Sequence, residues 1–154
     1  MGVAASGKTT VGSLLAERLG WPFFDADDFH PEATLEKMRE GMALSDADRL
    51  PWLERLRELI ADCLDRGQSA ILACSALKES YRRTLAGDDP RVRFVYLQAA
   101  PEVLAQRLEQ RTGHFFTRPL LDSQLSTLEA PADAITVDAS RTPEEIVREV
   151  QERL

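Results

Sequence analysis

Apolar residues follow two rhythms along this chain. In some stretches they recur every three or four positions, as on one face of a helix, and in others they run together over four to six residues, as in a buried strand. The first rhythm is clear at Val11, Leu14, Leu15 and Leu19, and again at Leu53, Leu56, Leu59, Ile60 and Cys63. It predicts helices over about 7–19, 31–40, 50–66, 76–86, 101–111, 120–128 and 143–153. The second rhythm predicts strands at Pro22-Phe23-Phe24 leading into Asp25, at 69–74, at 92–97 and at 134–138. Gly20, Gly41, Gly67 and Gly87 each close a helical run, where a left-handed residue is wanted. Pro51, Pro101 and Pro143 fall near helix starts, where a missing N–H costs nothing. Strands alternating with helices predict an α/β fold, a parallel sheet covered on both faces.

The first helix is preceded by Gly2-Val3-Ala4-Ala5-Ser6-Gly7-Lys8-Thr9, which fits G-x-x-x-x-G-K-[ST] at every fixed position. Gly2 and Gly7 let the backbone wrap closely around a phosphate. The N–H groups of Ala5, Ser6, Gly7, Lys8 and Thr9 then point at an anion, and the helix start carrying Thr10 adds its positive dipole end. Lys8 is placed to reach the β- and γ-phosphates of ATP, and the Thr9 hydroxyl to ligate Mg²⁺. Such a loop joins a central strand to a helix, and only Met1 precedes it. The expectation is that the first, central strand is missing from the sequence, that Met1 is its last residue, and that a groove runs through the core in its place.

With 154 residues the chain is read as one domain, 1–154. No apolar run approaches membrane-spanning length, and Cys63 and Cys74 lack metal spacing and read as reduced thiols. A cytoplasmic protein without membrane or nucleic-acid partners is expected, the latter because the net charge is −7. Only three lysines, Lys8, Lys37 and Lys78, stand against sixteen arginines, which singles out each lysine as a place where a compact ammonium is needed.

Ligands of parallel sheets bind beyond the carboxyl ends of the strands. The second predicted strand ends in Asp25-Ala26-Asp27-Asp28-Phe29-His30-Pro31. Asp25 and Asp27, two apart in extended chain, project to one side: one to hold the Mg²⁺ shell, the other to orient and deprotonate a hydroxyl. Asp28 reads as a turn residue. His30 either bonds a polar substrate or caps the next helix. Arg49 either clamps a carboxylate or phosphate, or pairs with Asp46 or Asp48. The third strand ends in Cys74-Ser75-Ala76-Leu77-Lys78, where Ser75 is expected to cap a helix with Lys78 one turn in. No acid stands at this strand end, which makes Asp25 the Mg²⁺-side acid. Arg107 and Arg111 share a helix face, and a Gly-containing aromatic stretch follows them up to Arg118, as in a closing lid over about 112–124.

Taken together, Asp25-Ala26-Asp27-Asp28-Phe29-His30-Pro31, Leu44-Ser45-Asp46-Ala47-Asp48-Arg49-Leu50-Pro51-Trp52-Leu53, Cys74-Ser75-Ala76-Leu77-Lys78 with Tyr81-Arg82, and Gly113-His114-Phe115-Phe116 with Ser123-Gln124 resemble the thermoresistant-type gluconate kinases, over nearly the whole chain. The resemblance implies a nucleoside-monophosphate-kinase-like P-loop NTPase fold with a five-stranded parallel sheet and a mobile lid. It implies a homodimer and the reaction of Mg²⁺-ATP with D-gluconate to give ADP and 6-phospho-D-gluconate. It assigns Lys8 and Thr9 to phosphates and Mg²⁺, and Asp27, before Asp25, to the proton of the sugar acid's terminal hydroxyl. It makes His30, Lys37, Arg49, Ser75, Lys78 and Arg82 candidates for the carboxylate and hydroxyls, Arg111 the lid arginine and Arg107 the adenine-stacking one. Ala4-Ala5 depart from the Ser-Gly common in that family. Two further readings stay open: a shikimate kinase-like enzyme, which Arg118-Pro119-Leu120-Leu121 favours, and a non-catalytic nucleotide-binding remnant.

Overall fold

A computed structural model describes all residues except Gly41, Ala43 and 111–117, and only the backbone of Arg39. Its helices are α1 (Lys8–Leu19), α2 (Glu32–Arg39), α3 (Asp46–Asp65), α4 (Glu79–Ala86), α5 (Pro101–Glu109), α6 (Arg118–Thr127) and α7 (Pro143–Arg153). Its strands are β1 (Phe23–Asp25), β2 (Ile71–Ala73), β3 (Val95–Gln98) and β4 (Ile135–Asp138). A single 3-10 turn, Ala26–Phe29, follows β1.

The strands form two parallel pairs. β1 runs beside β2 with Phe23 opposite Ile71 and Asp25 opposite Ala73. β3 runs beside β4 with Val95 opposite Ile135 and Gln98 opposite Asp138. Met1 and Gly2 lie between the pairs and join them. The Met1 amino group donates to Val95 O at 2.5 Å, Leu97 N–H donates to Met1 O at 3.0 Å, and Gly2 N–H donates to Ser75 O at 3.2 Å. These two residues thus bond to both neighbouring strand pairs. Behind Met1 a cavity of about 480 Å³ opens between β2 and β3, walled by apolar side chains such as Leu15, Phe24, Ile60, Leu72 and Phe94. This is the groove the sequence predicts. In place of the five strands implied by the resemblance, four are paired among the described residues.

Three apolar clusters hold the layers together. Val11 and Leu15 of α1 pack with Leu97, Val137 and, from α7, Val147 and Val150. Trp52, Leu53 and Leu56 of α3 pack with Tyr81 and Leu85 of α4. Leu121 of α6, fully buried, packs with Leu104 and Leu108 of α5 and with Val3, Ala4 and Ala5 of the glycine-rich loop. At Gly12 a Cβ would lie 2.8 Å from the Phe23 ring, so this glycine lets α1 sit close on β1.

Two helices begin elsewhere than the sequence reading has them. α3 starts at Asp46 and not near 50, because Ser45 and Asp48 form a reciprocal capping box: Asp48 N–H donates to Ser45 Oγ at 3.2 Å and Ser45 N–H to Asp48 Oδ2 at 3.0 Å. Pro51 therefore sits inside the helix. α4 starts at Glu79 with Lys78 as its cap position, so Ser75 caps no helix. Ala76, at φ 45, turns the chain away from helical geometry, and the Glu129 carboxylate accepts the Glu79 N–H at 2.6 Å.

Candidate functional site

The glycine-rich loop takes the shape its glycines allow. Gly2 stands at φ 146, where a Cβ would come within 2.9 Å of Leu97 O and of Ser6 Oγ. Gly7, at φ 91, is the N-cap of α1 and offers no side chain to its first amides, which stay open to an anion. Ala5 also stands in the left-handed region, at φ 61. Lys8 Nζ reaches back along the loop and donates to Val3 O at 2.9 Å.

Beside the loop, the end of β1 supplies the carboxylates. Thr9 Oγ1 donates to Asp25 Oδ2 at 2.9 Å, while Asp25 Oδ1 accepts the Asp27 N–H at 3.2 Å. Asp25 thus caps the 3-10 turn, and Asp27 sits on that turn and not in extended chain. The Asp27 carboxyl is raised above the usual carboxylate value, first because the cleft walls displace water around it and then by neighbouring Asp25, against the opposing pull of Lys8.

His30 is 9 % exposed and lies flat on Trp52, ring centroids 4.6 Å apart at 8°. Trp52 is itself fixed by donating Nε1–H to Ala26 O at 2.7 Å. Burial, and then the Arg49 charge, lower the imidazole to about 4, so it is neutral at pH 7. His30 Nε2 lies 3.9 Å from Asp27 Oδ1. His30 Nδ1 is buried without a hydrogen-bond partner. His30 does not cap α2, whose N-cap position is Pro31; it closes the 3-10 turn, its backbone N–H donating to Asp27 O at 3.5 Å.

One polar cleft of about 160 Å³ brings together Lys8, Thr9, Asp25, Asp27, His30, Arg49 and Ser75. Tyr81, Trp52 and Gln124 line it too, though the sequence reading gave them no role. Arg49 enters from the first turns of α3, its guanidinium donating to the Tyr81 hydroxyl at 3.1 Å. Asp46 accepts from that same hydroxyl and from Lys78 Nζ at 2.7 Å, and its carboxyl is held below the usual range first by Lys78 and then by Tyr81. Of the two alternatives for Arg49, the bond to Tyr81 fits neither the direct pair with Asp46 nor that with Asp48.

The other predicted residues stand apart from the cleft wall. Lys37 donates to Asp48 Oδ1 at 2.6 Å and helps hold that carboxyl at about 2. Lys78 pairs with Asp46. Arg82 is buried, and its guanidinium donates to the carbonyls of Ala76 and Leu77 at 3.0 and 3.1 Å. It holds the turn after β2 through these two bonds. Arg107 lies in the last turn of α5, near enough to Asp138 to lower its carboxyl, after the larger effect of Ser140. Thr10 is exposed on the first turn of α1. Arg111 and the 112–117 part of the expected lid lie outside the described residues, and 118–124 belong to α6.

No group of three or more His, Cys, Asp or Glu side chains able to hold a metal occurs among the described residues. The Thr9–Asp25 pair is instead an all-oxygen partial site, the kind that Mg²⁺ shares with substrate phosphates.

The shikimate kinase family model matches residues 4–154. The chain is 46% identical, over 153 residues, to the gluconokinase of Gluconobacter oxydans (strain 621H), covering 97% of this chain and 86% of the relative. Among solved structures, a gluconokinase from Sinorhizobium meliloti 1021 superposes with a TM-score of 0.86 at 43% identity, covering 97% of this chain and 85% of that one. An unliganded sugar kinase from Janibacter sp. HTCC2649 superposes with a TM-score of 0.91 at 41% identity, covering 99% and 90%.

Proposed function

We propose that this chain, which belongs to the shikimate kinase family of P-loop kinases and within it to the gluconokinases, transfers the terminal phosphoryl group of ATP to the terminal hydroxyl of D-gluconate. The observation that carries the reading is one cleft with a phosphate loop at one end and, at the other, a carboxylate of raised pKa beside a neutral histidine whose buried Nδ1 has no hydrogen-bond partner among the described residues. A phosphate acceptor of this kind needs a hydroxyl deprotonated in line with the phosphoryl group, and a polar body recognised by fixed donors and acceptors.

The residues divide the work. The open amides of Ala5 to Thr9 and the Lys8 ammonium bind the phosphates, and Thr9 with Asp25 would hold Mg²⁺, which would supply positive charge against the β- and γ-phosphates. Asp27, raised in pKa, accepts the proton as the sugar acid's hydroxyl oxygen bonds to phosphorus and the bond to the bridging oxygen of ADP breaks. His30 Nδ1 and Arg49 are set to hold the acceptor, Arg49 as the carboxylate clamp. Ser75 lines the same wall. Arg107 and Arg111 retain the adenine and lid roles that the resemblance gives them.

Further parts of the reading are a homodimer, checked by light scattering, and a cytoplasmic location. Burial pushes the Cys74 thiol up to about 11, so it stays protonated, which suits a reducing compartment. No described helix is long and apolar enough to cross a membrane.

The test is ADP release from Mg²⁺-ATP with gluconate, other aldonates and shikimate as acceptors. Turnover with gluconate and not with shikimate is expected; the reverse sends the substrate reading to the shikimate class, and no turnover with any acceptor favours a non-catalytic nucleotide binder. Asp27→Asn should lower kcat by roughly 10²–10⁴ with little change in ATP affinity. An effect on ATP affinity alone would move Asp27 to the metal site.

A further inference from the structure

The phosphate loop contains a conformation that its own sequence disfavours. Ala5 stands at φ 61, in the left-handed region that a residue with a Cβ disfavours relative to the right-handed one. A strained backbone of this kind persists only where its surroundings over-determine it. Within the loop the constraint is modest: Ser6 N–H reaches Val3 O at 3.3 Å, and Lys8 Nζ shares that carbonyl. The stronger constraint comes from 120 residues away. Gln124 Oε1 accepts the Ala4 N–H at 2.7 Å, immediately before the strained residue.

Gln124 is held firmly enough to do this. It lies on α6 three residues after Leu121, which is fully buried against Val3, Ala4 and Ala5. At the end of α6, Glu129 N–H donates to Leu77 O at 2.9 Å and the Glu129 carboxylate takes the first amide of α4. The middle of the helix is therefore held against the phosphate loop, and the chain just beyond its end is held against the turn after β2. Gln124 also lines the polar cleft.

We propose that Gln124 is a positioning residue for the phosphate loop: by accepting the Ala4 N–H it locks the Val3–Ala4 peptide, whose carbonyl takes the Ser6 N–H across the turn that keeps Ala5 left-handed and the following amides convergent on the phosphates. Without that acceptor the Ala4 N–H is left unpaired beside a packed helix, and the Val3–Ala4 peptide rotates, opening the Val3–Ser6 turn and releasing Ala5. The inference rests on the loop's reading as a nucleotide phosphate site, but not on gluconate as acceptor.

A thermodynamic cycle on Gln124→Leu and Ala5→Gly, alone and together, tests it, because glycine removes the strain that the latch opposes. ADP affinity by calorimetry and exchange of the Ala4 amide in the nucleotide-free protein are read in all four proteins. Neither readout needs turnover, so they stand whatever the acceptor proves to be. Expected are Ala4 exchange at least tenfold faster in Gln124→Leu, ADP affinity weaker by roughly five- to fiftyfold, and most of the affinity recovered in the double variant. The KM for ATP should rise more than kcat falls. Gln124→Glu, which keeps an acceptor oxygen, should keep Ala4 protected. Unchanged Ala4 exchange in Gln124→Leu overturns the proposal. So does strictly additive behaviour of the two substitutions, or a loss of thermal stability with ADP affinity untouched.

Discussion

His30 shows how one side chain can be kept in a single charge state by its neighbours. Its imidazole, pressed on Trp52 and facing Arg49, has its pKa lowered from 6.5 to about 4. The folded state thus refuses a proton that the unfolded chain accepts below pH 6.5. Stability from this group is complete above that pH, falls as pH drops from 6.5 to about 4, and changes no further below. Between pH 7 and pH 5 the loss is about 2 kcal/mol. The buried Met1 amino group, lowered to about 5, adds a slope of the same sign between pH 8 and 5. Urea midpoints at the two pH values, compared between the wild type and His30→Phe, isolate the imidazole: the variant should lose about 2 kcal/mol of the difference. Type and spacing in the sequence single out Lys8, Thr9, Asp25 and Asp27, and the structure sets all four on one cleft. Rarity was a poorer guide. Lys37 and Lys78 stand out in an arginine-rich chain, yet each is engaged by an aspartate of the α3 first turn. Arg82 looked like a ligand and is occupied by two carbonyls.

At the scale of elements, the start of α3 links stability to the site. Its capping box sets the first turn that carries Asp46 and Asp48, and through Tyr81 the position of Arg49. Ser45→Ala should cost about 1 kcal/mol of stability. It should also raise the KM for gluconate severalfold while leaving the KM for ATP within about twofold, by steady-state kinetics. A stability loss with both constants unchanged would detach the cap from the site. The box was readable as Ser-x-x-Asp, but Asp48 stands where Glu or Gln is usual and Pro51 looked like a first-turn proline. The true start of α4 was not readable, because the acceptor for its first amide comes from Glu129, fifty residues downstream. Helices with a clear apolar period, α1 and α7, were placed within a residue.

For the whole molecule, the alternation of strands and helices was enough to give the α/β class and to foresee a groove in place of a central strand. It could not tell that Met1 and Gly2 alone would bridge both banks of that groove. The sheet is two hydrogen-bonded pairs, with α1 packing on β1 and β2 and also on α7, which covers β4. A split of this kind bears on cooperativity. A sheet zipped along its full width melts as a unit, whereas two strand pairs linked by α1, a two-residue bridge and the bonds of Glu129 to the turn after β2 are freer to come apart in sequence. Calorimetry on the chain alone should show a van't Hoff enthalpy well below the calorimetric one, seen as a broad or double transition; equal enthalpies would show a single cooperative unit. The bridge is also the root of the phosphate loop, so saturating ADP, by clamping that root, should fuse the two steps into one sharper transition at higher temperature. The nucleotide would then act as a rung between the two strand pairs, and its concentration would decide whether the chain unfolds as one body or two.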